Sequence, residues 1–229
     1  MDRITITPVA RIRSEFPQKF GIPRQPLLSK NTVAEIVFEP EFRNPDCIRG
    51  IDNCSHLWLI WEFSEFKERH WSPLVRPPRL GGNRKMGVFA TRSPLRPNPL
   101  GLSAVKLLDV KMDKTLGPIL RISGADLMDG TPICDIKPYI PYADRVEDAV
   151  SEIFTVPLTL SSVRWECEPP LPRSGRRIVA LEEILLQDPR PAYKHNNTGS
   201  YAFEFAGLHV EFCVEDGVVV VKKCDKVGL

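Results

Sequence analysis

Apolar and polar residues alternate along ITITPVARI (4–12), TVAEIVFEP (32–40) and LSAVKLLDVK (102–111). A period of two is the mark of a strand with one buried face. HLWLIWEF (56–63) is apolar almost throughout and predicts a strand buried on both faces. GVFAT (87–91), ILRISGADL (119–127) and TPICDIKPY (131–139) read as further strands, with a turn around Lys114 to Pro118. Short strands at close spacing, with little helix between them, predict an antiparallel all-β barrel or sandwich. Beyond residue 145 the pattern changes. VEDAVSEIF (146–154) reads as a short helix, CEPPLPRSGRR (167–177) as a linker and IVALEEILLQ (178–187) as an amphipathic helix. YAFEF, LHVEFCVE and VVVVKKC then give three strands, with Glu215-Asp216-Gly217 as a hairpin turn. The expected organisation is a mainly β protein: a β-barrel domain over residues 1–145, then a linker and a small α+β unit over 146–229. The second unit is small for independent stability, so it is expected to pack on the first.

Composition narrows the class. A chain of 229 residues, 42% hydrophobic, can bury a full core without covalent staples. Its six cysteines form no CxxC pair, so no metal site is expected. Several lie in apolar runs such as ICDI and EFCV, where a reduced thiol acts as a small hydrophobe. MDRITITPVARIR contains no apolar signal core, and no apolar run reaches the ~20 residues that span a bilayer. A cytoplasmic protein with no membrane association is the expectation. The net charge of +2 hides an uneven distribution. Arg69, Arg76, Arg79, Arg84, Lys85, Arg92, Arg96 and Lys106 fall in one stretch that holds no Asp or Glu, while the rest of the chain is net acidic. Such a block suits a polyanionic partner, nucleic acid or nucleotide. A solvated basic face paired with acids elsewhere would look the same by charge alone. The stiff text RSPLRPNPLG favours the first reading, because prolines fix the backbone and present arginines at low entropic cost.

Common catalytic motifs are missing. There is no GxGxxG, P-loop or GxSxG, and the acidic-NPPF/Y motif of ordinary adenine-N6 methyltransferases is absent. His56, His70, His195 and His209 stand singly, without zinc or triad spacing.

FGIPRQP, SHLWLIWEF, RPPRLGGNRKMGVFATRSPLRPNPLGLS and DLMDGTPICDIKPYIPYAD, in that order, resemble the signature blocks of the TrmO (formerly TsaA-like) family, and LLQDPRPAY resembles its smaller C-terminal domain. The resemblance implies a β-barrel tRNA methyltransferase that uses S-adenosylmethionine, works as a homodimer and methylates N6 of N6-threonylcarbamoyladenosine, immediately 3′ of the anticodon. It also implies cofactor contacts at Pro23, Arg24 and Gln25, at Arg92 and Leu102, and along Asp126-Leu127-Met128-Asp129. The fork of Arg92 suits a methionine carboxylate and Leu102 suits an adenine face. The family commonly has His followed by Gln or Glu where this chain has Ser64-Glu65, a change that a backbone contact survives.

A ureido nitrogen is a poor nucleophile until its proton leaves, so a general base is expected near the methyl group. Asp126, Asp129 and Asp135 are the candidates, with Lys137, Tyr139 and Tyr142 as orienting groups; an ordinary cross-strand ion pair would equally explain Asp135 and Lys137. Lys137, Arg84 and Arg96 are candidate cations for the threonyl carboxylate. All cofactor motifs precede residue 145, so the tail is expected to take no part in cofactor binding. Its Arg164, Arg173, Arg176, Arg177, Arg190, Lys194, Lys222 and Lys223 suggest instead an extended tRNA footprint. The alternative function is a non-catalytic β-barrel that binds S-adenosylmethionine or RNA.

Overall fold

The computed structural model describes residues 4–66, 70–77, 84–151, 159–190 and 199–228. Six strands form a closed ring in which every neighbouring pair is antiparallel: β1 (Ala10–Arg13), β2 (Val33–Phe38), β7 (Gly117–Ser123), β6 (Leu100–Asp113), β3 (His56–Glu62) and β8 (Pro132–Pro138), with β8 returning to β1. Alternation decides which side chains enter the ring. Ala10, Ile12, Ile36, Leu57, Leu59, Trp61, Val105, Leu120, Ile122 and Ile133 form its core.

Several strands differ from their sequence patterns. Pro8 carries no N–H, and pairing starts only at β1, which leaves Ile4 and Ile6 exposed. GVFAT is not one strand. Met86–Gly87 (β5) pairs with Leu74–Val75 (β4), and the chain then enters a 3-10 turn over Val88–Ala90, closed by the Thr91 amide and hydroxyl on the Val88 carbonyl. HLWLIWEF is buried on one face only: Leu57, Leu59 and Trp61 point inward, while Trp58 and Ile60 lie half-buried outside. β6 is the longest strand and shifts register between Leu107 and Asp109, against β7. The short α1 (Pro141–Asp144) follows β8; residues 146–151 hold a turn at Glu147-Asp148 and no helix, contrary to expectation, and the remainder of that segment lies outside the described residues.

A second hydrophobic core gathers around α2 (Arg176–Leu186). Ile178, Leu181, Ile184 and Leu185 face a sheet of order β10 (Tyr201–Phe205), β11 (Leu208–Glu215), β12 (Val218–Lys226) and β9 (Ser162–Trp165). Asp216 and Gly217 both adopt positive φ in the β11–β12 turn, the geometry a two-residue hairpin requires. β9 runs parallel to β12 at the sheet edge; SVRW was too short and too polar to read as a strand. This core also recruits the N-terminal segment: Phe16 is fully buried within it, 5.3 Å from Phe205 by ring centroids, and Phe20 and Ile22 pack beside it.

Polar contacts fasten the two cores together. Arg176 grips Glu15 in a fork, with bonds of 2.9 and 2.6 Å, and also donates to the Asn31 carbonyl. The Ala206 amide bonds the Glu15 carbonyl.

Candidate functional site

A cleft of about 720 Å³ opens on the outer face of the ring, where β3 and β6 pass beneath the loop that precedes β2. Its inner wall comes from register. Trp58 lies opposite Ala104 and Glu62 opposite Leu100, so outward residues of β3 and of β6 face the cleft together. Leu102 is thereby left 54% exposed, on a strand whose alternate side chains fill the core. Trp61 leans across Gly101, where a Cβ would fall inside the indole envelope, so only glycine fits beneath the ring. Phe63 lies 4.3 Å from Trp61 by centroid and 6.3 Å from Phe66, which extends the aromatic wall to the rim.

The outer wall is the turn Pro23-Arg24-Gln25-Pro26, where the two prolines limit backbone freedom. Gln25 accepts a hydrogen bond from Arg92, which closes one end of the cleft. Arg92 and Arg96 both reach the cleft from the proline-locked loop, and Arg96 also bonds the Thr91 carbonyl at 3.4 Å. Ser64 and Glu65 sit in the 3-10 turn Ser64–Phe66 at the rim, where Glu65 pairs with Lys19 at 3.1 Å.

The floor carries the most perturbed group. Asp126 follows β7 and accepts a 2.6 Å bond from the Ser103 hydroxyl, which itself receives the Trp61 indole N–H at 2.9 Å. An indole can only donate and an ionised carboxylate can only accept, so the Ser103 hydroxyl accepts from Trp61 and gives its proton to Asp126. Asp126 keeps some exposed surface, but its carboxyl is enclosed by protein. Burial pushes its pKa from 3.8 up to about 6, against the opposing pull of Ser103 and Arg92. Near neutrality the group is an anion ready to take a proton.

The cleft therefore brings together Pro23, Arg24, Gln25, Ser64, Glu65, Arg92, Leu102, Asp126 and Met128. Other candidates lie elsewhere. Leu127 is buried in the ring core, and its carbonyl accepts the Ser14 hydroxyl. Asp129 turns away to cap the amide of Ser14. Asp135 and Lys137 form an exposed ion pair of 2.9 Å on β8, one strand beyond the lining, because β8 pairs with β3 on the side away from β6. Tyr139 is outside the lining and meets Trp58 at a tilt, 5.5 Å between ring centroids, while the Trp58 indole donates to Asp144. Arg69, Arg79 and Lys194 lie outside the described residues. The sequence reading missed Trp58, Trp61, Phe63, Phe66 and Ser103; the unbroken apolar run of HLWLIWEF was the signal, read as burial and not as a wall.

The tail's cations are mostly compensated within the protein. Arg164 bonds Glu215, Lys222 bonds Glu166, Lys223 bonds Asp225, and Arg190 bonds Asp188. Arg176 serves Glu15, and Arg173 lies over the Trp165 ring. Among the described residues no cluster of His, Cys, Asp or Glu could hold a metal ion, and no helix is long and apolar enough to cross a membrane.

Residues 11–145 match the family of the tRNA-methyltransferase O N-terminal domain, and residues 172–227 match the TrmO C-terminal domain. The chain is 43% identical over 214 residues to the tRNA (adenine(37)-N6)-methyltransferase of Escherichia coli K12, covering 90% of this chain and 91% of that one. It is 42% identical to a Pseudomonas aeruginosa protein named as a putative S-adenosylmethionine-dependent methyltransferase, over 85% of each chain. The crystal structure of TrmO from P. aeruginosa superposes with a TM-score of 0.78 at 33% identity, covering 99% of this chain and 98% of that one.

Proposed function

Because the chain belongs to the TrmO family of tRNA methyltransferases, we propose that its cleft binds S-adenosylmethionine and methylates N6 of N6-threonylcarbamoyladenosine, 3′ of the anticodon of tRNA. One observation carries this reading: guanidinium groups, an aromatic wall and the desolvated carboxylate of Asp126 converge on a single cleft of about 720 Å³. That is room for a nucleoside cofactor beside a modified base. The residues fit the cofactor's chemistry. Arg92 offers a fork to a carboxylate, Leu102 an apolar face to a purine, and the rings of Trp61 and Phe63 a π surface to a cation.

When bound, S-adenosylmethionine supplies an electrophilic methyl group on its sulfonium. The Pro23–Pro26 turn and the β3–β6 wall hold the reactants in one orientation, and positioning of this kind removes a large part of a bimolecular barrier. Asp126 would accept the N6 proton as the N–C bond forms and the methyl–sulfur bond breaks, with the neutral thioether S-adenosylhomocysteine as leaving group, and would then pass the proton to water. Ser103 holds the carboxylate in place, and Trp61 fixes the direction of the Ser103 hydroxyl. Arg96 is the cation of the cleft left to receive the threonyl carboxylate.

The six-stranded ring is read as the catalytic β-barrel domain (1–145), and the second core with its linker (146–229) as the unit that meets the tRNA outside the anticodon loop. A homodimer, in which a second copy covers the open side of the cleft, and a cytoplasmic location complete the proposal. Transfer of labelled methyl from S-adenosylmethionine to tRNA tests it. Incorporation into tRNA bearing the threonylcarbamoyl group, and none into tRNA lacking it, is expected. Equal labelling of both, or of neither, overturns it.

A further inference from the structure

The loop that lines the outer wall of the cleft is held mainly from behind, by the C-terminal core. Arg24 lies beside the cleft, yet its Nη2 donates to the Asp188 carbonyl at 3.0 Å and to the Arg190 carbonyl at 2.8 Å. These carbonyls lie just past the end of α2, where orphan acceptors and the negative end of the helix dipole favour a cation. They are held rigidly. Asp188 sits at φ 49, Pro189 follows, and Arg190 clamps Asp188 with bonds of 2.7 and 2.9 Å; both side chains are almost fully buried.

Further along the same loop, Glu183 of α2 accepts three bonds: Ser29 Oγ at 2.8 Å, the Asn31 amide at 3.0 Å and Asn31 Nδ2 at 2.6 Å. Arg176, from the first turn of α2, takes the Asn31 carbonyl at 2.9 Å. At the start of the loop Ile22 packs into the second core while also lining the cleft. Between these anchors the loop also meets the ring side, through the Leu27 amide on the Gly124 carbonyl at 2.8 Å and Gln25 with Arg92. A segment gripped along its other face by buried, charge-assisted bonds takes much of its shape from them.

We propose that Glu183 and the Asp188–Arg190 turn are positioning residues of the cofactor site: they set the Pro23–Pro26 wall from the C-terminal core, so that displacing α2 alters cofactor affinity although no residue of α2 lines the cleft. This rests on the reading of the cleft as the cofactor site. It makes the C-terminal core part of cofactor binding and not solely a nucleic-acid attachment. It also provides a route by which a ligand seated on that core changes affinity in the cleft, and by linkage the reverse.

The test is calorimetric titration of the full chain with S-adenosylhomocysteine, a probe that needs no tRNA and no turnover. Glu183→Ala should raise the Kd by about tenfold, a loss of order 1.4 kcal/mol, and Glu183→Gln, which keeps the length and one acceptor oxygen, should recover part of it. Glu182→Ala is the control. Glu182 accepts from the Trp165 indole at 2.7 Å, a contact with β9 and not with the loop. It should lower the melting temperature and leave the Kd unchanged, which separates positioning from a general weakening of the core. Should Glu183→Ala fail to fold, Glu183→Gln and Ser29→Ala carry the same comparison, with smaller increases expected. A folded Glu183 variant that binds like the natural chain overturns the inference alone. Failure of the natural chain to bind the probe removes the cofactor reading and the inference with it.

Discussion

Asp126→Asn should make the protein more stable while removing its activity. The folded state holds this carboxyl at about 6 against 3.8 when unperturbed, with burial the main cause. The folded chain therefore binds the proton more tightly than the unfolded chain, and unfolding releases it between those two values. Stability falls as pH rises through that window, and the whole penalty is in force above about pH 6. At 1.36 kcal/mol per pH unit the ceiling is about 3 kcal/mol. Residual contact with solvent brings the expectation to about 1–2 kcal/mol. Asparagine has the same shape, still accepts the Ser103 hydroxyl and never ionises, so it carries none of this penalty. In a chain of this length the gain corresponds to roughly 2–8 °C in melting temperature at pH 7.5. Near pH 4 the folded carboxyl is protonated and the unfolded one is close to half protonated, so most of the gain should be gone. Methyl transfer should fall by about 10²–10⁴-fold, the usual contribution of a positioned general base. Thermal unfolding of both proteins from pH 4 to 8, with labelled-methyl assays in parallel, tests this. A variant less stable than the natural chain at pH 7.5, or a gain of equal size at pH 4, would refute the account of Asp126 as a desolvated anion.

Ser103→Ala removes the bond that opposes the rise in the Asp126 pKa, so the acid limb of the pH–rate profile should move upward by about one pH unit, the equivalent of a charged hydrogen bond near 1.5 kcal/mol; an unmoved limb separates Ser103 from the base. Arg92→Ala should weaken S-adenosylmethionine binding by about 1–2 kcal/mol, since its guanidinium is exposed and shared with Gln25, and calorimetry on the folded variant reads this directly. Lys137→Ala should change stability by no more than about 0.5 kcal/mol, because its pair with Asp135 is open to water; a denaturant midpoint far from the natural one would show a wider role. Arg190→Ala removes one partner of a buried ion pair with Asp188 and should cost about 3–5 kcal/mol in chemical unfolding.

The ring was legible because alternation reports which face of a strand is buried. β2, β6, β7 and β8 lie where the period of two put them, with ends shifted by a few residues. Helix α2 was equally plain from its apolar stripe. What resisted reading was set by distant partners. GVFAT has the composition of a strand, but Pro94, Pro97 and Pro99 prevent a ladder from forming downstream, and the chain coils into a turn. SVRW forms a strand only because β12 offers it an edge. Trp58 reads as core because a cleft wall and a buried face have the same hydropathy. The candidate residues of the PRQ turn, the FATR segment and the strand end at Asp126 meet in one cleft; the Asp135–Lys137 pair, attractive by type, falls one strand away. No local pattern announced that Phe16 belongs to the second core, or that Glu183 would hold a loop some 150 residues earlier. Those contacts depend on tertiary folding alone.

The most direct test of the central claim is mass spectrometry of anticodon-loop nucleosides from cells that lack this protein, compared with the same cells carrying the natural chain or Asp126→Asn. The account predicts loss of the N6-methylated form of N6-threonylcarbamoyladenosine, accumulation of its unmethylated precursor, and restoration by the natural chain but not by the variant. Persistence of the methylated nucleoside in the deleted cells, or full restoration by Asp126→Asn, would contradict it.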